Sequence, residues 1–259
     1  MEQAYNKEEL LEHAIDIAKL GGEKTLGYFN NTLHVDRKKD HSPVTIADKE
    51  AEKAMRNRLG ELHPTHGIIG EEFGRTNADS PIQWIFDPID GTRSFIHGVP
   101  LYTTLVGVVV DGNPVAGVIY APAIGELCEA GKHLGARLNG SSVEVRSCNS
   151  LEQATFLSTD VTHAGQVGLE KAQQQLIHKT RLHRTWGDAY GHMLVATGRA
   201  DIMFDAVLNI WDAAALLPIL QEAGGIFSDT NGHQIIDGPN GFSCNKVLYP
   251  KILDIFKTP

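Results

Sequence analysis

Cysteine is nearly missing from this chain. Cys128, Cys148 and Cys244 stand far apart with no CxxC pair, so neither a disulfide framework nor a zinc site of common spacing is expected, and a reducing compartment fits. No run of lysine or arginine interrupts a chain whose net charge is -9, which argues against a protein that holds nucleic acid by neutralising phosphates. No apolar run is long enough to span a bilayer. The first residues, MEQAYNKEELLEHAIDIAKL, are acidic and polar where a secretory signal would be basic and then apolar. A cytoplasmic protein with no membrane partner is the expectation. Repeats with a period of 20 to 50 residues, low-complexity tracts and charged tails are missing too, which sets aside solenoids and disordered scaffolds.

What is present is a chain of 259 residues, 42% hydrophobic, enough for one large domain or two modest ones around a real core. Leu10, Ala14, Ile17 and Ala18 share a helical face, Asn6 and Glu9 have capping-box spacing, and Gly21-Gly22 reads as an interruption or an end. A second helix is expected over 46–62, with Ala47, Ala51, Ala54, Met55 and Leu59 as its stripe. Short apolar runs at 68–69 and 82–86 precede TTLVGVVV and PVAGVIY, which Asp111-Gly112-Asn113 joins as a hairpin. A boundary is expected near 150, between an α+β region (1–149) and an α/β region (150–259) in which ATFLST, ADIMFD and GIFSD alternate with helices. Pro218 falls inside the helical AAALLPILQEAGG and predicts a kink.

The chemistry concentrates in four acidic places, each where an apolar stretch ends or a helix begins: Asp48 in VTIADKE, Glu71 and Glu72 in IIGEEF, Asp87 and Asp90 in IFDPIDGT, and Asp212 in NIWDAAA. Carboxylates converging in a partly desolvated cleft repel one another unless protonated or bridged by cations. Oxygen ligands without accompanying His or Cys favour Mg2+, or Mn2+, over zinc. Duller readings exist for each: Asp212 as the N-cap of its helix, Asp48 closing a capping box with Thr45, the glutamates as loop charge. DPIDGT resists such a reading, because Pro88 removes a backbone donor where a rigid turn would aim the Ile89 carbonyl. A helix starting at Gly91, Thr92 and Arg93 would point its N–H groups at an anion held by the metals, and Gly91 would let that anion come close.

GEEF at 70–73, WIFDPIDGTRSF at 84–95 and WDAAALLPILQEAGG at 211–225 resemble, in order and spacing, the three motifs of the inositol monophosphatase family of Mg2+-dependent phosphomonoesterases. The resemblance covers essentially the whole chain. It implies a five-layered αβαβα sandwich, usually a homodimer, and two or three Mg2+ ions per site. Glu71, Asp87, the Ile89 carbonyl, Asp90 and Asp212 resemble the metal ligands; of the two neighbouring glutamates only one matches the ligand position, and Glu71 rather than Glu72 is assigned to it. Thr92 and Asp48 resemble the pair that orients and helps deprotonate the attacking water, alongside Glu71. Gly91 and Thr92 would bind phosphate oxygens.

For the alcohol half of the substrate, TWGDAYGH (185–192) and Arg93 in DGTRSF resemble the histidinol-phosphatase branch. Asp188 and Asp205 could pair with the ammonium and imidazole of L-histidinol phosphate. Trp186 and Tyr190 read first as core aromatics, with stacking on the imidazole as the alternative. The alternatives in function are an inositol-1-phosphatase or broad sugar-phosphate phosphatase, including fructose 1,6-bisphosphate, and an idle relative that only binds a partner. The 12 histidines show no HxxxH or HExxH pattern and are expected mostly at the surface, with neither His97 nor His192 assigned to the site.

Overall fold

The computed structural model describes residues 5–31, 35–37 and 43–258. In chain order the first half runs α1 (Lys7–Leu26), β1 (Val35–Arg37), β2 (Pro43–Thr45), α2 (Ile46–Leu62), β3 (Gly67–Gly70), β4 (Gly74–Thr76), β5 (Ile82–Asp90), α3 (Thr92–Ile96), β6 (Thr103–Val110), β7 (Asn113–Ala121), β8 (Glu126–Gly131), β9 (Gly135–Leu138) and β10 (Ser141–Ser142). The second half runs β11 (Thr155–Ser158), α4 (His163–Gln166), α5 (Glu170–Lys179), β12 (Leu182–Arg184), α6 (Asp188–Ala196), β13 (Ile202–Asp205), α7 (Ile210–Ala213), α8 (Leu216–Glu222), β14 (Gly225–Ser228), β15 (Gly241–Asn245) and α9 (Tyr249–Lys257).

Besides the two-stranded β1–β2 pair, two larger sheets organise these elements. The larger has the order β10-β9-β8-β7-β6-β5-β3-β4 and the smaller β12-β11-β13-β15-β14. On one face of the large sheet, Leu10, Ile17, Met55 and Leu59 of α1 and α2 pack against Trp84, Phe86, Val106 and Val118. On its other face, Ile85, Leu105 and Ile119 meet Met193, Leu216 and Leu220 of α6 and α8, which also cover Leu157 and Met203 of the small sheet. The outer face of the small sheet buries Phe156, Phe204 and Phe242 against Leu176 of α5 and Ile252 and Phe256 of α9. Helix, sheet, helix, sheet, helix is the αβαβα sandwich implied by the motifs. All strands of the large sheet precede residue 150 and all strands of the small one follow it, while the shared middle layer is built from the later part.

Local rules explain where several elements start and stop. Asn6 caps α1 by accepting the Glu9 N–H at 3.2 Å, but Gly21 and Gly22 neither end nor interrupt that helix. Both are buried, and a Cβ at Gly21 would lie 2.6 Å from Met55 Sδ and one at Gly22 2.5 Å from Tyr120 Cδ1; the glycines are there so that α1 can approach α2 and the sheet. The β6–β7 hairpin turns on Asp111 and Gly112, both at positive φ, as a type I′ connection requires. Pro218 does more than kink its helix. A proline ring clashes with the carbonyl four residues earlier, and the helix breaks at Ala214-Ala215, between α7 and α8. That elbow sits in a hollow formed by Gly107 and Gly117, which are register partners on β6 and β7. A Cβ at Gly107 would lie 2.6 Å from the Ala214 Cβ, and one at Gly117 would strike the Ala215 carbonyl. The elbow therefore rests on the sheet backbone, and Asp212 is held two residues before it.

Candidate active site

The strand β5 carries the core of the site. Its pairing with β6 shifts register between Asp87 and Asp90, the irregularity that a proline inside a strand demands. Within the bulge Asp87 Oδ1 accepts the Ile89 N–H at 3.0 Å, and the Ile89 carbonyl accepts the Thr92 hydroxyl at 3.0 Å. Gly91 follows in the left-handed region at φ 78 and caps the five-residue α3. The sequence places helix start, glycine and paired aspartates as expected, although β5 runs on to Asp90 where a turn was expected after Asp87.

Carboxylate oxygens of Asp87, Asp90 and Asp212 all lie within 4.8 Å of one another. Burial pushes Asp87 well above the ordinary carboxylate range, reinforced by Glu71, Asp90 and Asp212 and by a side-chain hydrogen bond to Glu71. Asp90 is raised likewise by burial, then by Asp188 and Asp212. Burial, partly offset by the Asn209 N–H and reinforced by Glu71 and Asp205, raises Asp212 to about 7. Three convergent carboxyls with such titrations are a site that wants positive charge. The donor set is all oxygen, so it fits Mg2+ or Mn2+ by chemistry.

One of the duller readings holds at the same time as the clustering. Asp48 closes the capping box of α2, its Oδ2 accepting both the N–H and the hydroxyl of Thr45 at 2.7 Å. Neighbouring Ala47 packs with Ile89, Phe95 and Tyr102, which brings this helix start against the DPIDGT turn. Asp212, however, is not an N-cap. Asn209 is, and Asp212 sits in the first turn of α7 accepting the Asn209 N–H at 2.7 Å, because only from there can a carboxylate reach back to the cap.

The remaining predicted residues line or support a cleft of about 360 Å³ bounded by Gly91, Thr92, Arg93, Thr159, Asp188 and Asp212, among others. Asp188 starts α6 at φ 55, a conformation a non-glycine residue adopts at a cost. Its N–H donates to Thr159 Oγ1 at 2.7 Å, and the next N–H, of Ala189, donates to Asp90 Oδ2 at 2.7 Å. The Asp188 carboxylate lies over Gly91, where a Cβ would come 2.9 Å from Oδ2. Burial, then Asp205 and Asp212, raise it to about 7, with Arg93 opposing. Arg93 is exposed at the rim, 3.9 Å from Asp160. Asp205 is buried and accepts the Thr159 hydroxyl.

Several functional neighbours escape a reading of the sequence. His192 is fully buried, not at the surface: its Nε2 lies 3.1 Å from Asp205 Oδ2 and its Nδ1 faces Ser243 Oγ at 2.5 Å. Glu52, fully buried on α2, accepts the N–H of Glu72 at 2.7 Å and of Phe73 at 3.2 Å and pairs with Arg56 at 2.6 Å. It thereby fixes the turn that carries Glu71. The signal was an acid on the apolar stripe of a helix, four residues after Asp48. Among the aromatics, Tyr190 is buried, with the Arg199 guanidinium 5.9 Å from its ring centre. Trp186 is not a core residue; it is 44% exposed, between Thr185 and Gly187 of the cleft lining.

Residues 6–257 match the model of the inositol monophosphatase family. The chain belongs to that family. Among its relatives, a histidinol-phosphatase of Chlorobaculum parvum is 42% identical over 92% of this chain and 93% of its own length. A histidinol-phosphatase of Mycobacterium tuberculosis is 34% identical over 85% and 87%. The solved inositol monophosphatase of Zymomonas mobilis superposes with a TM-score of 0.88 at 32% identity, covering 98% of this chain and all of that one. The chain is accordingly a phosphoric monoester hydrolase of the αβαβα type.

Proposed function

We propose that the chain hydrolyses L-histidinol phosphate to L-histidinol and phosphate, using Mg2+ held by Glu71, Asp87, the Ile89 carbonyl, Asp90 and Asp212. Three of those carboxylates share one 4.8 Å neighbourhood, and their raised titrations leave a site that a divalent cation would discharge. When bound, the metal supplies a lowered pKa for water and neutralises charge on the phosphoryl oxygens.

The chain's own groups do the rest. The N–H groups of Gly91 and Thr92 bind phosphate oxygens, and the left-handed Gly91 leaves its Cα bare for close approach. Thr92, held to the Ile89 carbonyl, and Asp48, held in its cap, orient and help deprotonate the attacking water, so no covalent phosphoenzyme is needed. The observation that carries the substrate reading is the Asp188 carboxylate poised over Gly91. A carboxylate there faces the end of the substrate that carries positive charge, and a phosphate ester with an ammonium and an imidazole pairs with it. Asp205, braced by His192, and Arg93 at the rim complete the substrate surface. The two histidinol-phosphatases among the relatives support the same reading.

Phosphate release with Mg2+ tests this with histidinol phosphate, inositol 1-phosphate and fructose 1,6-bisphosphate side by side. The expected result is kcat/KM highest for histidinol phosphate. A preference for either of the others would move the chain to a polyol-phosphate phosphatase, and no release from any would make it an idle relative. We also propose a cytoplasmic homodimer. Among the described residues no helix is long and apolar enough to cross a membrane.

A further inference from the structure

A second group of metal-ligating side chains lies outside the cleft. Glu9 and His13 stand one turn apart on α1, and His63 caps the C-terminus of α2. One ligand atom from each lies within 4.8 Å of the others. His13 Nδ1 and His63 Nε2 approach to 2.9 Å. Bonds of 2.0–2.1 Å around a tetrahedral ion place neighbouring ligands about 3.3 Å apart, so the two imidazoles already sit near that spacing.

His63 is also held in place. Its ring stacks on His66 with centroids 4.3 Å apart and planes within 6°, and on Trp84 at 5.6 Å. His66 is fixed in turn, because the buried Trp84 donates its indole N–H to His66 Nδ1 at 3.0 Å. A ligand whose ring orientation is set by a packed outer shell is how proteins tune metal sites. Glu9 is exposed and the two histidines half-buried, which leaves a path in from solvent and an open coordination position.

We propose that Glu9, His13 and His63 bind one divalent transition ion of the zinc type, which clips the start of α1 to the end of α2. Two imidazoles and a carboxylate suit Zn2+ rather than Mg2+. The two sites therefore sort ions by ligand chemistry, oxygen-only in the cleft and nitrogen-rich here.

The test is a calorimetric titration of the full chain with Zn2+ in saturating Mg2+. One equivalent of zinc is expected, weakened by about 100-fold or more in His13→Gln and His63→Gln and by about tenfold in Glu9→Gln, whose exposed position leaves the fold intact. The same equivalent persists in Asp90→Asn, which separates it from the cleft and from the phosphatase reading. X-ray absorption of the bound zinc should show two imidazole nitrogens near 2.0 Å, and Tm should rise by about 5 °C at a hundredfold excess over Kd. Absence of the equivalent in the unmodified chain, or its survival in the His13→Gln/His63→Gln double variant, overturns the proposal.

Discussion

Removing divalent cations should make this protein's stability fall as pH rises, and the site's titrations set the window. Asp188 and Asp212 are each raised from 3.8 to about 7 in the fold. The folded chain thus keeps protons that the unfolded chain has released, and stability is highest below about pH 4, drops as pH climbs to about 7 and levels off above it. One such carboxyl corresponds to about 4 kcal/mol. Both face the cleft and each raises its neighbours, so screening and shared protons hold the pair near about 4 kcal/mol in total instead of twice that. Set against a typical 5–15 kcal/mol of folding free energy, the loss is large, and for a chain of this size it is a fall of about 10 °C in Tm. Mg2+, bound as proposed, would take the place of the protons and should flatten the profile. Thermal unfolding in chelator and in Mg2+, from pH 5 to 8, reads this directly. A metal-free Tm that is constant or rises over that range would refute the reasoning, as would a Mg2+ effect of equal size in Asp212→Asn.

Other consequences can be checked with single variants. Asp90→Asn should cut turnover by about three orders of magnitude while circular dichroism stays that of the parent chain and Tm in chelator does not fall. Asp188→Ala should raise KM for histidinol phosphate by about 10–100-fold, the value of a hydrogen bond to a charged group, and leave KM for a generic phosphate ester nearly unchanged; equal effects on both would remove Asp188 from recognition. Glu52→Gln keeps shape but weakens the grip on the turn before Phe73, so Mg2+ affinity, read from the metal dependence of kcat, should fall about 10–100-fold through displaced Glu71. Gly117→Ala forces a methyl into the Ala215 carbonyl and should destabilise the fold by about 1–3 kcal/mol, measured by denaturant unfolding.

What the sequence revealed depended on how self-explanatory each residue was. DPIDGT was legible because every position has a chemical reason that does not need a partner: an acid after a buried strand, a missing donor, a glycine free to turn. The outlines of α2 and of the β6–β7 hairpin were legible from period and turn residues. Glu52 and His192 were not, because a polar residue in an apolar face announces only that it must be satisfied, and the groups that satisfy it, Glu72 and Phe73 for Glu52 and Asp205 and Ser243 for His192, lie 13 to 51 residues away. Gly107 and Gly117 were hidden more deeply. Inside TTLVGVVV and PVAGVIY they read as weak points of strands, and their purpose exists only once register sets them side by side beneath the elbow that Pro218 creates. Trp186 was misjudged for a related reason, since aromatic character gives hydrophobicity but not location.

The hydrogen bond from the Ala189 N–H to Asp90 joins the middle layer to the large sheet at the site itself. Asp87 and Asp90 belong to the large sheet, Asp188 and Asp212 to helices of the middle layer, and the four repel one another across the joint between them. A layer resting on one sheet alone would be free to lift and relieve that repulsion. This one cannot, because α6 and α8 bury side chains against both sheets and the Ala214-Ala215 elbow is seated on bare backbone. Packing therefore holds the carboxylates together against their own field, and what it cannot supply is countercharge. The cleft's demand for a divalent cation is that unmet repulsion, held in place by apolar contacts that have no charge of their own.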